Sequence, residues 1–218
     1  MAFDVVGVSG PDGALMREVA RGVSERLGFV LVDEGIVMRA ALEAGVSPDV
    51  VADAEKRRSF VERAIAVIAS SNQSLALATV GVGGFVSPDS LVGDASLARN
   101  ELGDLIRTAI EETAARGRVV IVAHAASHAL ASKPEVLRVL VTASTAVRRS
   151  RVAAEGNLGE KEAARAVDTS DAGRADYLKR YYGTRSELPT QYDLVINTDR
   201  VSADQAISLI TLAATPAA

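Results

Sequence analysis

The chain of 218 residues is long enough to bury the core of one α/β domain, and its 48% apolar and 24% charged residues exclude intrinsic disorder. It contains no cysteine, which excludes disulfide bonds, thiolate metal sites and a cysteine nucleophile. The formal net charge of −4 argues against nucleic acid as a partner, because nonspecific binding to nucleic acid needs a strongly basic surface.

No apolar run reaches the roughly 18 residues of a membrane span, and the segment MAFDVVGVSG lacks the basic and apolar regions of a signal peptide. We therefore expect a cytoplasmic protein without a membrane partner.

Five short apolar runs, separated by segments of helical periodicity, predict strands. Their apolar residues are continuous rather than alternating, as in parallel strands that are buried on both faces. Strands that alternate with helices in this way predict a doubly wound α/β domain with right-handed crossovers. The predicted strands are Asp4–Ser9, Phe29–Val32, Arg118–Ala123, Val136–Thr142 and Tyr192–Asn197.

The loop after the first predicted strand lies where α/β sheets bind ligands, outside the carboxyl end of a strand. Residues Gly10–Arg17 fit the position of the pattern GxxxxGK[ST], in which glycines direct backbone N–H groups onto phosphate oxygens, lysine bridges the terminal phosphates and the hydroxyl holds magnesium. Gly10 and Gly13 match the opening of this pattern. The glycine, lysine and hydroxyl that should follow are replaced by Leu15, Met16 and Arg17. Because the first lysine of the chain is Lys56, the sequence predicts a degenerate phosphate loop.

Two interpretations remain for the replaced positions. Met16 continues the apolar stripe that includes Ala20, Val23 and Leu27, which predicts that its side chain packs in the core. Arg17 is a permanently charged donor, so it is the candidate to supply the missing positive charge in catalysis.

Residues 47–100 interrupt the alternation of strands and helices. We interpret them as an inserted lobe or arm that contains a helix from Asp49 to about Ser70, followed by a Ser/Gly-rich stretch. The segment from Leu75 to Val86 is apolar and rich in glycine. Because an exposed apolar stretch of this length favours association, the segment 70–90 is the candidate contact with a second copy of the chain or with a protein partner.

A long helix is predicted from about Glu160 to Tyr182. Its expected inward stripe of Ala164, Val167, Asp171, Arg174 and Leu178 places two charged residues in line with apolar ones. Asp171 and Arg174 therefore form either part of a site or an ordinary i, i+3 ion pair.

A cluster of arginines and two histidines are the other candidate polar groups in this half of the chain. Arg148, Arg149 and Arg151 either clamp phosphates or form a solvated helix face. His124 is expected to be a half-buried residue at a strand end, and His128 a surface residue. Two histidines do not make a metal cluster, so no metal site is predicted from them.

In these residues and motifs, the chain resembles the cytidylate kinase-like branch of the P-loop nucleoside monophosphate kinases. The resemblance spans nearly the whole chain, and its strength lies in the order and spacing of several modest matches. Gly10–Gly13 (GPDG) resembles the GPSG opening of cytidylate kinases, and Val32–Arg39 resembles their L-D-x-G-x-x-Y-R segment. The remaining matches are Val120–Ala125, Val139–Ala143 with the three arginines that follow, Asp168, Asp171 and Arg174 in the pattern D-x-x-D-x-x-R, and Tyr192–Thr198.

The resemblance implies a P-loop NTPase-like sheet of about five parallel strands with flanking helices and an inserted helical lobe. The single domain would span residues 1–218, with the core in 1–46 and 101–218, the lobe that binds the acceptor nucleotide in 47–100, and lid-like and acceptor-binding helices in 145–185. It implies phosphate contacts at Gly10, Pro11, Asp12, Gly13 and Ala14, and acceptor contacts at Asp33, Arg39, Asp171 and Arg174. Catalytic charge would come from Arg17, Arg149 and Arg151.

Two of the implied acceptor contacts also have ordinary structural interpretations. Asp33 fits the N-cap of a helix over Gly35–Ala44, with Gly45 beyond its end. Arg39 fits a solvated position on that helix.

The resemblance and the altered loop together give three hypotheses. The first is a homologue that binds a nucleotide such as CMP or dCMP, or a protein partner, and has weak or lost kinase activity. The second is an active kinase that transfers the γ-phosphoryl group of ATP to CMP or dCMP with Mg²⁺. The third is an interaction protein that keeps the scaffold and binds no nucleotide.

Overall fold

All five predicted strands are present, and both ends of each lie within two residues of the predicted bounds. A computed structural model describes residues 3–33, 96–122 and 125–215. The strands are β1 (Val5–Ser9), β2 (Val30–Asp33), β3 (Val119–Val122), β4 (Val136–Thr142) and β5 (Leu194–Asn197). The described helices are α1 (Met16–Leu27), α2 (Ser96–Ala115), α3 (Ala126–Ala129), α4 (Thr145–Gly156), α5 (Glu160–Tyr182) and α6 (Ala203–Ala214), with a 3-10 turn at Pro189–Gln191.

Strand β1 lies at the centre of one sheet with the order β2-β3-β1-β4-β5. Every neighbouring pair is parallel, and Val5 is in register with Val119 on one side and Val136 on the other. All residues of β1 and β3 are buried, which explains why their apolar runs are continuous. The predicted fold class, a doubly wound sheet of about five parallel strands with flanking helices, is confirmed.

Helices α1 and α6 pack on one face of the sheet. Val6 and Val8 of β1 point to this face, where they join a core that includes Val19 and Val23 of α1 and Ile210 of α6. Gly22 permits the close approach of the two helices, because a Cβ atom at this position would overlap the side chain of Ile207.

The residues of β1 that alternate with these valines, Gly7 and Ser9, point to the opposite face. Ser127 of α3 contacts both: its hydroxyl donates to the Gly7 carbonyl at 3.2 Å and accepts a hydrogen bond from the Ser9 hydroxyl at 3.0 Å. Helix α3 therefore lies against the centre of the sheet, just below the loop that follows β1.

Helix α5 begins and ends at the predicted residues, but the predicted inward stripe is partly wrong. Ala163 is buried and Ala164 is only half-buried, and Asp171 is 42% exposed on its side chain. Val167, Arg174 and Leu178 are buried as predicted, and the other buried residues of the helix are Ala163, Ser170 and Tyr177. The first half of α5 packs on Val152 of α4, and the second half packs on Ala125 beside α3. The buried face is therefore displaced toward Ala163, Ser170 and Tyr177, because α4 covers the first half of α5 and the region of α3 covers the second half.

Several predictions fall outside the described residues. Among these are Arg39, His124, the helix over Gly35–Ala44 and the candidate contact segment 70–90. Of the predicted lobe over 47–100, only the residues from Ser96 onward are described, as the beginning of α2. Within the described part of the chain, no helix combines the length and the apolar character needed to span a bilayer.

Candidate functional site

Two glycines shape the loop between β1 and α1. A Cβ atom on Gly10 would overlap the carbonyl oxygen of Val141 at the end of β4. Gly13 has a φ of +77°, and a Cβ atom there would lie 2.7 Å from the carbonyl oxygen and 2.8 Å from the Cα of Arg148. The loop is therefore packed directly against β4 and α4, and only glycine fits at either position.

Leu15 has φ +66° and ψ 17°, in the left-handed region. The phosphate-binding pattern places glycine at this position, and glycine is the residue that adopts a left-handed backbone without strain. For a residue with a side chain this conformation costs roughly 1–2 kcal/mol. The shape of the loop is thus maintained by its surroundings rather than by the local residue.

Met16 lies in the core, as its helical spacing predicts. Its side chain is 9% exposed and belongs to the same apolar cluster as Val19, Ala20 and Val23. Arg17, the next residue, is exposed in the first turn of α1. The position that carries lysine in the pattern therefore contributes packing here and no charge.

Arg151 holds the loop to the segment that follows β5. Its guanidinium donates to the carbonyl oxygen of Gly13 at 3.0 Å, to the hydroxyl of Thr198 at 2.9 Å and to the carbonyl oxygen of Thr198 at 2.7 Å. Thr198 is 3% exposed and also donates to the Ala14 carbonyl at 3.1 Å. The sequence assigned Arg151 to catalysis, and the structure places it in a three-way contact between α4, the phosphate loop and the end of β5.

This contact predicts that Arg151→Lys lowers the free energy of unfolding by about 2 kcal/mol. Lysine retains the charge but cannot form all three hydrogen bonds to Gly13 and Thr198, because it lacks the planar guanidinium group. Urea denaturation measures the effect. Arg165→Lys, an exposed change on α5, is the matched control and should shift stability by less than about 0.5 kcal/mol. Equal stability of the two variants would mean that Arg151 does not hold the loop.

Carboxylates lie beside the phosphate loop. Asp12 accepts a hydrogen bond from the hydroxyl of Ser170 on α5, and Asp171, one residue further along, forms a two-bond ion pair with the buried Arg148. Burial raises the pKa of Asp171, the Arg148 guanidinium opposes that shift, and the negative charges of Asp12 and Asp168 add to it. The edge of the loop thus already carries concentrated negative charge.

Arg149 points away from these groups. It pairs with Asp168 at 2.7 Å in a largely exposed contact between α4 and α5. Among the described residues, its Nε is the buried side-chain nitrogen that lacks a hydrogen-bond partner. The cluster predicted from sequence is therefore divided: Arg148 lines a cleft, Arg149 faces outward and Arg151 braces the loop.

A cleft of about 300 Å³ opens next to the phosphate loop. It lies between the loop, the carboxyl end of β4, the first turn of α4, the inner face of α5 and the segment after α5. Its lining combines three guanidinium groups with two carboxylates and a few small or apolar residues. The lining residues are Pro11, Thr142, Ala143, Thr145, Arg148, Asp171, Arg174, Ala175, Leu178, Arg185 and Glu187.

Arg174 lines the cleft, and a carboxylate from another segment holds it there. Its Nε and Nη2 donate to the two carboxylate oxygens of Glu187, both at 2.7 Å, and the two side chains are 10% and 12% exposed. Glu187 also accepts a hydrogen bond from the Tyr192 hydroxyl. Burial alone raises the pKa of Glu187, but the bonds and charge of Arg174, together with the Tyr192 bond, outweigh it, so the pKa lies below its ordinary value.

His128 belongs to the same cluster, and its predicted surface position is wrong. Its ring is half-buried, with its centroid 5.3 Å from that of Tyr182 and 6.0 Å from that of Tyr192, and Nε2 lies 3.4 Å from the Tyr192 hydroxyl. Burial lowers the pKa of His128, and the positive charges of Arg174 and Arg138 lower it further, against the raising effect of Glu187. His128 therefore packs with Tyr182 and Tyr192, next to the Arg174–Glu187 pair that lines the cleft.

The structure brings together part of the predicted site. Pro11, Asp171 and Arg174 line the cleft, and Asp33 lies exposed at the end of β2. The site prediction omitted five other polar lining residues: Thr142, Thr145, Arg148, Arg185 and Glu187. Arg148 was visible as part of the arginine cluster, whereas nothing in the spacing of Arg185 and Glu187 marks them as cleft residues.

The described residues do not fit Mg²⁺–ATP in the manner of the phosphate-binding pattern. Met16 is packed in the core, and Asp12 adds a carboxylate within the loop. Among the residues with described side chains, no group of three or more histidine, aspartate or glutamate residues is arranged to hold a metal ion. We therefore derive no phosphoryl-transfer step from this loop.

Comparison with known proteins gives one match to a protein family and several to solved structures. Residues 5–200 match the model of the cytidylate kinase-like family. The crystal structure of an uncharacterized protein from Eubacterium ventriosum is similar with a TM-score of 0.66 at 17% identity, covering 96% of this chain and 97% of that one. Shikimate kinase from Bacteroides thetaiotaomicron matches with a TM-score of 0.49 at 12% identity, covering 96% and 97%. No curated protein matches the chain.

Proposed function

This chain belongs to the cytidylate kinase-like family, and from that premise we propose that it binds a nucleoside monophosphate, with CMP or dCMP as the expected ligand, and has weak or no kinase activity. The ligand would occupy the cleft beside the phosphate loop. The observation that carries this proposal is the contrast between the two halves of the site. The cleft retains three guanidinium groups, while the lysine position of the loop is filled by the core residue Met16.

The cleft suits a phosphate monoester in both size and chemistry. Guanidinium groups bind phosphate oxygens in pairs of hydrogen bonds, and Arg148, Arg174 and Arg185 all reach the lining. The hydroxyls of Thr142 and Thr145 supply neutral donors at the same wall. A nucleoside monophosphate is thus compatible with the groups present.

Phosphoryl transfer requires more positive charge near the phosphates than binding of a nucleotide does. Its catalysis depends on positive groups that stabilise the charge of the transferred phosphoryl group. Here Arg151 is bonded to Gly13 and Thr198, and Asp12 places a negative charge in the loop. Removal of one preorganised donor from such a site lowers kcat by roughly 10²–10³, so loss of the lysine favours a protein that binds without turnover.

A second candidate, an active nucleoside monophosphate kinase, is favoured by one observation. The backbone at Leu15 is left-handed, and left-handed residues occur in the backbone concavities whose N–H groups bind anions. In this candidate Arg17, at the start of α1, supplies the charge, and Mg²⁺ and ATP are required.

Ligand titration separates these candidates. CMP, dCMP, AMP and GMP are titrated by calorimetry and thermal shift, and ADP release from Mg²⁺–ATP is assayed in parallel. We expect CMP or dCMP at 100-fold over its Kd to stabilise the protein by about 2.7 kcal/mol, with ADP release at the level of the protein-free control. Sustained CMP-dependent ADP release would instead favour the active kinase. Absence of stabilisation by every nucleotide would favour the interaction protein.

A further inference from the structure

The three guanidinium groups of the cleft are not equivalent. Arg148 is held by both oxygens of Asp171, and Arg174 by both oxygens of Glu187. Arg185, by contrast, makes no ion pair or hydrogen bond with any residue that the structure describes, and it is exposed at the edge of the cleft. The positive charge in excess of the carboxylates therefore belongs to Arg185.

The position of Arg185 is set by anchors on both sides. Gly183 ends α5 with a φ of +69°, and Thr184 forms a turn in which its hydroxyl donates to the Ser186 carbonyl at 2.9 Å and accepts from the Ser186 N–H at 3.3 Å. Two residues beyond Arg185, Glu187 is fixed between Arg174 and Tyr192. The backbone of Arg185 is thus held at the cleft while its side chain remains solvated.

We propose that Arg185 is the residue that anchors the phosphate group of a ligand in this cleft, in place of Arg174, to which the family resemblance points. The inference rests on the proposed function for the nucleotide but requires of the ligand only a phosphate group. Arg174 has two of its N–H groups on Glu187, whose negative charge offsets its own, so a phosphate group could reach only the N–H groups that remain and would meet a neighbouring carboxylate. Arg148 is likewise paired through two N–H groups with a carboxylate, that of Asp171, which is 42% exposed. Arg185 exchanges only bound water for phosphate oxygens, so it binds without breaking an existing pair.

The test compares Arg185→Gln with Lys179→Gln. Lys179 is exposed on α5 and does not line the cleft, so the control removes the same charge from the same region of the molecule. CMP, cytidine and inorganic phosphate are titrated by calorimetry against the full chain. We expect Arg185→Gln to weaken CMP binding roughly tenfold or more, to leave cytidine binding unchanged and to remove any response to inorganic phosphate. Arg185→Lys should recover part of the loss, because it restores the charge without the planar fork.

Each outcome bears on the inference. Equal CMP affinity of Arg185→Gln and Lys179→Gln would overturn it and leave the proposed function intact. A response to inorganic phosphate that requires Arg185, without preference for any nucleotide, would support it and contradict the proposed function. A wild-type protein that responds to neither CMP nor inorganic phosphate would overturn it as well. Because Arg185 is exposed and without bonded partners in the described part of the chain, its variant should melt at the wild-type temperature, and the affinities are then comparable.

Discussion

Replacement of Glu187 by glutamine should lower the free energy of unfolding by about 3 kcal/mol at neutral pH. The substitution retains the shape of the side chain and removes its charge. Arg174, only 10% exposed on its side chain, then remains in the interior without a counter-charge, and Tyr192 loses an ionised acceptor. Removal of one partner of a buried pair is destabilising chiefly because the other charge stays buried. Urea denaturation of the two proteins in the same buffer measures the difference.

The effect should depend on pH in a defined direction. The pKa of Glu187 is lower in the folded protein than its ordinary value of 4.5, so the folded state favours the ionised form. The stability that this carboxylate contributes is therefore fully present above pH 4.5 and is lost as the pH falls through the lower folded pKa. We expect the difference between wild type and Glu187→Gln to be constant near neutral pH and to shrink below pH 4.5.

Asp193→Asn provides the matched control for this prediction. Asp193 also forms a two-bond pair with an arginine, Arg138, but that pair lies near the surface, with side chains 22% and 35% exposed. Its loss should cost about 1 kcal/mol, because water screens the charge that remains. Similar costs for the two variants would show that burial of the Arg174–Glu187 pair does not set its contribution.

Replacement of Gly13 by alanine should lower the free energy of unfolding by about 3 kcal/mol or more. Two effects add at this position. The φ of +77° is strained for any residue with a side chain, and the new methyl group would lie within 2.9 Å of the carbonyl oxygen, Cα and Cβ of Arg148. Because backbone atoms of α4 cannot rotate away, either the loop or the helix must shift. Urea denaturation again gives the magnitude.

Gly183→Ala separates the two effects. Gly183 has a similar φ of +69°, but no atom lies within 4 Å of the position that a Cβ would occupy, so alanine there introduces only the backbone strain. We expect a loss of about 1 kcal/mol. If both alanine variants lose the same free energy, the close approach of the loop to α4 is not a constraint on this fold.

The sequence was sufficient to predict the five strands and the bounds of α5. Continuous apolar runs and helical periodicity are local signals, and the two ends of α5 coincide with the prediction because Gly159 and Gly183 flank it. The core position of Met16 followed from the same periodicity. Leu15 is different: nothing in a leucine indicates a left-handed backbone, which results from the packing of the whole loop against β4 and α4.

The partners in the cleft could not be predicted, because they depend on contacts between distant segments. The i, i+3 spacing of Asp171 and Arg174 predicted, as one interpretation, an ion pair between them, since residues three apart are neighbours on a helix. Each instead pairs across the fold, Asp171 with Arg148 and Arg174 with Glu187. Residues 23 positions apart in the chain, or in an irregular loop, leave no periodic signal for their proximity.

The central place of β1 has a consequence for how the chain folds. This strand is synthesised before both of its neighbours in the sheet, which are residues 119–121 and 136–140. During synthesis its buried, almost wholly apolar surface must wait for those partners, on the order of ten seconds at common rates of translation. The sheet therefore closes late, through contacts of high sequence separation, which slows folding. Until β4 emerges from the ribosome, the apolar residues of β1 lack their partners in the sheet and are exposed to aggregation.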